Sequence, residues 1–419
     1  MASIKTGTLL KDMFFLMLFS IPFSLSSMFS VKFSSVIRSF FLPVRILYLS
    51  NLDLFMMPFI LAQFRPFSCV YAYGFSVLAR VSAQKGYLLS LPADRVILWL
   101  NAKRIACHPR LEELYMIYTI TLNPTIDYIV TVPRLTLGQS HHMQDELITP
   151  GGKGIMVSRV LKALGIPSIA LGFRGGFTGD FVREYMEELN ILNQFTVIKE
   201  RTRINLVLKS DQDTEISDYG PNATEEEVAR FLKGFEDIST QDFVVMSGSK
   251  LPSMPKDFYE QLIRSLHEEG VPFACDITKD ELRNSLQYHP LVVKPNQKEV
   301  GEFFGRTFTT WQEVIPYGKQ LVELGAQNAI VSLGGDGALL FTAQEVIYAP
   351  PLSGEVANPV GSGDSMVAGF VGTFIRTGDP LEAFRVAVAC GTATAFSPDI
   401  ATADEIEVQL ARVVLEKIE

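Results

Sequence analysis

The sequence predicts an α/β fold: a mostly parallel central sheet flanked by helices on both faces, with a small β-sheet lid. Three observations lead to it. From Met116 onward, apolar runs rich in β-branched residues alternate with stretches of helical periodicity. The spacing of that alternation suits β-α-β units, which cover both faces of a parallel sheet with helices. Two segments, 126–148 and 203–219, interrupt the rhythm with strand patterns that have no helix between them.

In chain order, apolar runs predict strands over 116–122, 167–173, 243–247, 272–277, 291–295 and 328–333. Helical patterns lie between them over 152–164, 177–190, 224–236, 256–269 and 311–325. After Asp364 the chain is expected to be mainly helical. The interrupting segments, one of which holds Arg203-Ile-Asn-Leu-Val-Leu-Lys209, are expected to form the lid from about 126–148 and 203–219. Residues 116–419 suit one large α/β domain with that addition, and they contain no internal repeat or low-complexity linker.

Residues 1–115 read differently. Met13 to Val31 is nineteen residues without a charge, and a second apolar stretch runs from Ile46 to Phe64. Such runs suggest a signal peptide or membrane anchor. Against that, Pro22 and five Ser interrupt the first run, and Asp53 and Pro58 split the second. Met116 opens a strand, Met-Ile-Tyr-Thr-Ile-Thr-Leu-Asn123, and the pair Glu112-Glu113 stands just before it. A Glu-Glu pair encoded GAGGAG resembles a ribosome-binding site. Translation is therefore expected to start at Met116, with 1–115 a non-native upstream translation; the alternative is an apolar or disordered extension. No membrane association is expected for 116–419, and a cytoplasmic location is.

The formal net charge of −9 is unevenly distributed. Residues 1–115 carry 12 Lys/Arg against 5 Asp/Glu, whereas 116–419 carry 25 against 41. A body this acidic argues against a nucleic-acid partner, whose phosphates need a basic surface. It leaves a nucleotide open, because backbone amides, Lys and Mg²⁺ can make one site locally positive. Cys69, Cys107, Cys275 and Cys390 lie far apart with no metal spacing, so reduced thiols are expected.

The segment with the most chemistry is Asn358-Pro-Val-Gly-Ser-Gly-Asp-Ser365. It leads from an extended stretch into a helical one. A glycine turn at a helix start exposes free backbone N–H groups that can hold a phosphate, aided by the helix dipole. A carboxylate at Asp364 would then stand beside a transferring phosphoryl group and could take a proton from an attacking hydroxyl. The plain alternative is an Asp capping an ordinary helix. A second glycine turn, Pro150-Gly-Gly-Lys-Gly154, opens the helix expected over 152–164.

Together these two motifs, in this order, resemble the signatures of the ribokinase-like carbohydrate kinases of the phosphofructokinase B type. The resemblance covers 116–419 and none of 1–115. It implies a ribokinase-like fold, ATP as co-substrate, Mg²⁺ as cofactor, and a phosphorylated sugar as acceptor. It implies catalytic roles for Asp364 and for the turn Gly361, Ser362 and Gly363. It implies a hydroxyl-binding role for Asp127, for which a turn Asp is the alternative. Gly151 and Gly152 would let backbone approach the sugar, and Lys153 would be a cation near its phosphate. Thr202-Arg203-Ile-Asn205 resembles the Thr-Arg-x-Asn of the phosphohexose branch, so Arg203 is expected to grip the sugar's own phosphate with help from Asn205. Ser249, closing a predicted strand, would reach the substrate or form a plain turn.

On the nucleotide side the resemblance implies ATP contacts at Ser332, Gly334, Gly335 and Gly337, where a hairpin turn is the alternative, and at Asn358, Gly361 and Gly363. Asn296 and Glu299, in Lys294-Pro-Asn-Gln-Lys-Glu299, match an Asn-x-x-Glu motif tied to Mg²⁺, held mostly through water. Cys390-Gly-Thr-Ala-Thr-Ala395 would line an adenine pocket or pack helices closely. Two positions depart from the pattern. Met156 stands where the family usually has a sugar-contacting Asn, and Gly248-Ser-Lys-Leu-Pro-Ser253 stands where the family's common loop is Gly-Ser-Leu-Pro-Pro-Gly. Thr121-Leu-Asn-Pro124, Pro150-Gly-Gly-Lys-Gly154 and Thr202-Arg-Ile-Asn205 resemble the branch acting on phosphorylated ketohexoses, within which Gly363-Asp-Ser-Met-Val-Ala-Gly-Phe370 and Ala395-Phe-Ser-Pro-Asp-Ile-Ala-Thr402 look most like the 1-phosphofructokinase branch. That branch implies phosphorylation of fructose 1-phosphate to fructose 1,6-bisphosphate. Tagatose-6-phosphate kinase is the near alternative, and a non-catalytic sugar-phosphate sensor is the alternative of another class. A homodimer through the lid is a further expectation.

Overall fold

The computed structural model describes residues 115–418 apart from 278. The expectations for 1–115 fall, Tyr115 apart, outside the described residues. Along the chain run β1 (Ile117–Thr121), β2 (Thr125–Thr131), β3 (Asp145–Gly151), α1 (Lys153–Ala163), β4 (Ser168–Arg174), α2 (Gly176–Glu188) and β5 (Leu192–Val197). Next come β6 (Arg203–Lys209), β7 (Thr214–Ile216), α3 (Glu225–Lys233), β8 (Phe243–Ser247), α4 (Phe258–Glu268), β9 (Phe273–Asp276) and α5 (Lys279–Ser285). Then follow β10 (Val292–Val293), α6 (Gln297–Phe304), α7 (Ile315–Glu323), β11 (Asn328–Ser332), β12 (Ala338–Phe341) and β13 (Val346–Ala349). The chain ends with α8 (Ser362–Thr377), α9 (Pro380–Phe396), α10 (Ala403–Leu410) and β14 (Glu416–Lys417).

Ten strands form one sheet in the order β14-β13-β12-β11-β10-β9-β8-β1-β4-β5. From β11 to β5 every neighbouring pair is parallel. Strands β12, β13 and β14 extend it antiparallel. Side-chain alternation of period two sends each strand's apolar residues to both faces. Tyr118, Ile120, Val244 and Met246 join the core beneath α3, α4, α6 and α7. Ile117, Phe243, Val245 and Ile330 join a second core beneath α1, α8, α9 and α10. Both faces are therefore dry, which is why these strands read as continuous apolar runs.

A second sheet, β3-β2-β6-β7, is built from the two segments that broke the sequence rhythm. Here β2 pairs antiparallel with β3 and parallel with β6. Helix boundaries follow local chemistry. Thr224 and Glu227, Asn296 and Glu299, and Thr402 and Glu405 each form a reciprocal capping box. The helix expected over 311–325 is split: Trp311–Val314 is a 3₁₀ turn, and α7 begins at Ile315 with Pro316 in its first turn.

Chain direction across the large sheet sets the site. From β1 the chain passes on one side to β4 and β5, then returns to β8 on the other side and proceeds to β11. Ligands in open α/β sheets bind beyond the carboxyl ends of strands at such a reversal.

Candidate active site

A cavity of about 750 Å³ lies at that reversal, a volume suited to a small-molecule ligand. Its floor is a registered row at the strand ends: Thr121 of β1 lies opposite Ser247 of β8, and Ser247 opposite Asp276 of β9. One wall is the inner face of the small sheet, with Asp127, Arg203 and Asn205. Loops bearing Ser249, Asn358 and 398–400 complete the rim.

On the small-sheet side, β2 and β6 are paired so that Asp127 lies beside Asn205. The Asn205 amide donates to Asp127 Oδ1 at 3.1 Å, orienting the carboxylate. Burial raises the Asp127 pKa, partly offset by the Asn205 hydrogen bond and the charge of Arg203. The Arg203 guanidinium donates to the Asp218 carbonyl at 2.8 Å and more loosely to the Asn123 carbonyl at 3.4 Å. Its Nε is buried with no hydrogen-bond partner in the protein, as are Thr121 Oγ1, Asn123 Oδ1 and Ser247 Oγ. All four of these residues line the cavity. Gly151 is required where it stands, because a Cβ there would lie 2.0 Å from Asp127 Oδ2.

The opposite side is a cluster of charge at the start of α8. Gly361 caps the helix in the left-handed region, φ 79°, which suits glycine. Asn358 Oδ1 accepts from the Val360 N–H at 3.1 Å and fixes the turn. Helix geometry leaves the Gly363 and Asp364 N–H groups without intrahelical acceptors. Lys294, at the end of β10, reaches this turn: a Cβ on Gly363 would lie 2.8 Å from its Nζ. A buried ammonium beside the positive end of a helix needs negative charge. Asp276 supplies some, 3.9 Å from Lys294 Nζ and 2.9 Å from Lys153 Nζ.

Asp276 and Asp364 share a hydrogen bond between their carboxyl groups, both buried. Two such groups cannot both ionise cheaply. Burial and the neighbouring Asp276 push Asp364 up to about 8. Asp276 is held low: burial opposes its charge, but Lys294 and Lys153 outweigh burial. Burial likewise opposes the charge on Lys153, and Asp276 and Asp364 overcome it, so its pKa is raised. The ammonium that the sequence reading placed near the sugar phosphate is thus tied to the carboxylate pair.

Of the residues singled out from sequence, Asp127, Gly152, Lys153, Arg203, Asn205, Ser249, Glu299 and Asn358 line one cavity. Asp364 joins them through Asp276. Met156 also lines the cavity. Asn296 caps α6 and is bridged to Ser332. Ser332, Gly334, Gly335 and Gly337 do not line the cavity; Gly334–Asp336 is the tight turn of the β11–β12 hairpin. Cys390–Ala395 lies within α9, where Gly391 packs on Met366 and the Thr394 and Ser365 hydroxyls bond at 2.8 Å. Sequence reasoning did not pick out Asp276 or assign Lys294. The available signal was position: each is a charged residue at the carboxyl end of an apolar run.

Residues 116–406 match the pfkB family of carbohydrate kinases, and the chain belongs to that family. It is 42% identical over 303 residues to the 1-phosphofructokinase of Bacillus subtilis (strain 168), covering 72% of this chain and 100% of the relative. It is 34% identical over 293 residues to the D-tagatose-1-phosphate kinase of Bacillus licheniformis, covering 70% and 96%. Among solved structures, phosphofructokinase-2 from Escherichia coli in complex with fructose-6-phosphate matches with a TM-score of 0.67 and 26% identity, over 71% of this chain and 99% of that one. The ribokinase-like architecture is therefore shared.

Proposed function

We propose that this protein transfers the γ-phosphoryl group of ATP to the 6-hydroxyl of fructose 1-phosphate, giving fructose 1,6-bisphosphate and ADP. The observation that carries the reading is the buried carboxyl of Asp364 at a helix N-terminus, between two lysines and a second carboxylate. In its ionised form Asp364 accepts the proton of the 6-hydroxyl as that oxygen bonds to the γ-phosphorus. The β–γ bridging P–O bond breaks, and ADP leaves with the electron pair. The Gly363 and Asp364 N–H groups and Lys294 stabilise the negative charge on the transferring group. Lys153 and Asp276 hold the carboxyl pair in place. Asp127, aligned by Asn205, accepts hydrogen bonds from sugar hydroxyls, and Arg203 grips the phosphate on carbon 1. Ser249 and the amides at Gly151 and Gly152 approach the sugar. Asn358 and the Ser332–Gly337 turn lie toward the nucleotide.

Among the described residues no group of three or more His, Cys, Asp and Glu could hold a metal by itself. Mg²⁺ still fits, because it takes oxygen donors and keeps much of its water. Asp276 and Glu299 both border the cavity and would supply carboxylate oxygens, with Asn296 capping the helix that carries Glu299. Bound with ATP, the ion would neutralise phosphate charge.

The D-tagatose-1-phosphate kinase relative favours tagatose 1-phosphate as a second acceptor, since both ketoses carry their phosphate on carbon 1. ATP as co-substrate suits the cytoplasm. No helix among the described residues is long and apolar enough to cross a membrane. Ile148 and Ile216 expose apolar side chains on the small sheet, which suits pairing with a second copy. A dimer mass by light scattering is expected, and a monomer at working concentration contradicts that pairing.

The catalytic assignment is tested with Asp364→Asn and fructose 1-phosphate. Removing a general base is expected to lower kcat by about 10²–10⁴-fold. Near-normal turnover refutes the assignment.

A further inference from the structure

We infer that Arg159 and Asp399 form a strap that holds the turn at 358–361 against the helix carrying Lys153, and so couples sugar-phosphate binding to ATP binding. Arg159 is then a positioning residue for phosphoryl transfer. The inference rests on the kinase reading for the identity of the two ligands.

Arg159 lies on α1, and its side chain is only 8% exposed. A guanidinium placed there must find partners, because burying an unpaired charge is costly. It finds them on its own helix and on three other elements. Nη2 donates to Asp399 Oδ2 at 2.5 Å, and Nη1 donates to Thr149 Oγ1 of β3 at 3.4 Å. Met156 Sδ is 3.9 Å from Nη1, and the Tyr185 ring of α2 lies 5.6 Å from the guanidinium carbon. One charge thus touches the small sheet, the helix that begins at Lys153, and the 398–400 loop.

That loop is the route to the phosphoryl end. Pro398, Asp399 and Ile400 line the cavity. The Pro398 carbonyl accepts from Asn358 Nδ2 at 3.1 Å. Ile400 packs so closely on the turn that a Cβ on Gly361 would lie 2.7 Å from its Cδ1. Met156 reaches the same glycine from the other side, 3.9 Å from that Cβ position. Both neighbours of Gly361 therefore answer to Arg159, one through Asp399 and one directly. Ligand contacts on the small sheet would tighten β3 and α1, and the strap would pass that order to the turn. Such coupling acts equally in both directions.

The test uses Asp399→Asn, which removes the charge but keeps the shape and an amide oxygen that can still accept from Arg159, at a side chain that is 37% exposed. Binding of a non-hydrolysable ATP analogue is measured by calorimetry with and without saturating acceptor. The acceptor is whichever ketose phosphate the wild-type protein turns over. In wild type the acceptor is expected to tighten analogue binding about tenfold. In Asp399→Asn that factor is expected to fall toward one, with KM for ATP rising several-fold more than kcat falls in protein that remains folded at the assay temperature. Arg159→Lys keeps the charge but loses the planar fork, and is expected to retain part of the coupling. Equal coupling factors in wild type and Asp399→Asn overturn the strap, as does a loss of activity that merely tracks a loss of thermal stability. Absence of wild-type turnover on fructose 1-phosphate bears on the acceptor assignment alone.

Discussion

At Asp364 the decisive quantity is where one proton resides. Its carboxyl is hydrogen-bonded to that of Asp276, and burial with the Asp276 charge lifts it from 3.8 to about 8. A base must be ionised to act. In the free enzyme kcat/KM is therefore expected to rise with pH up to about 8 and then level. Asp276→Asn removes the neighbouring negative charge and leaves Lys153 and Lys294 to Asp364. The rising limb is then expected at lower pH, seen in a kcat/KM profile; a limb that stays put or moves upward contradicts the shared-proton account. At this scale the sequence was legible where glycine spelled out a turn, as at Gly361 to Asp364. It was silent at Asp276 and Arg159. Nothing local distinguishes a strand-end Asp from a turn Asp, or a buried Arg from an exposed one on a helix. Their partners, Lys153 and Asp399, lie 123 and 240 residues away in the chain.

Among the elements, strands buried on both faces announced themselves, because a dry strand must be apolar throughout. β1 and β8 are wholly buried. β5 escaped notice because it is an edge strand, Leu-Asn-Gln-Phe-Thr-Val, with Leu192 and Val197 exposed. The β11–β12 hairpin is the alternative the sequence offers for the glycine turn at 332–337, while the antiparallel extension through β13 carries no local signal of its direction. Capping boxes at Thr224 and Thr402 fix helix starts that the apolar pattern alone places only loosely. Packing between elements is less legible still. Gly318 of α7 rests on the fully buried Phe341 of β12, and a Cβ there would lie 2.2 Å from the ring. Gly318→Val is expected to destabilise the fold by at least about 2 kcal/mol through overpacking. Denaturant unfolding reads that change, and an unchanged midpoint contradicts the packing described.

For the whole molecule, the division of labour follows the topology. The order in which the chain visits the strands of the large sheet reverses between β1 and β8, and the charged cluster and the small sheet meet above that reversal. Within the acidic body seen in the sequence, Lys153 and Arg203 bring positive charge to that cavity, alongside Asp127, Asp276 and Glu299. The reaction was readable from the two glycine motifs, and the 1-phosphofructokinase branch from the spellings at 363–370 and 395–402. The most direct test is an ATP-coupled assay of the purified protein with fructose 1-phosphate, tagatose 1-phosphate, tagatose 6-phosphate and fructose 6-phosphate. The highest kcat/KM is expected with fructose 1-phosphate, giving a product phosphorylated on carbons 1 and 6. A preference for a 6-phosphorylated ketose, or turnover of none of the four, contradicts the account.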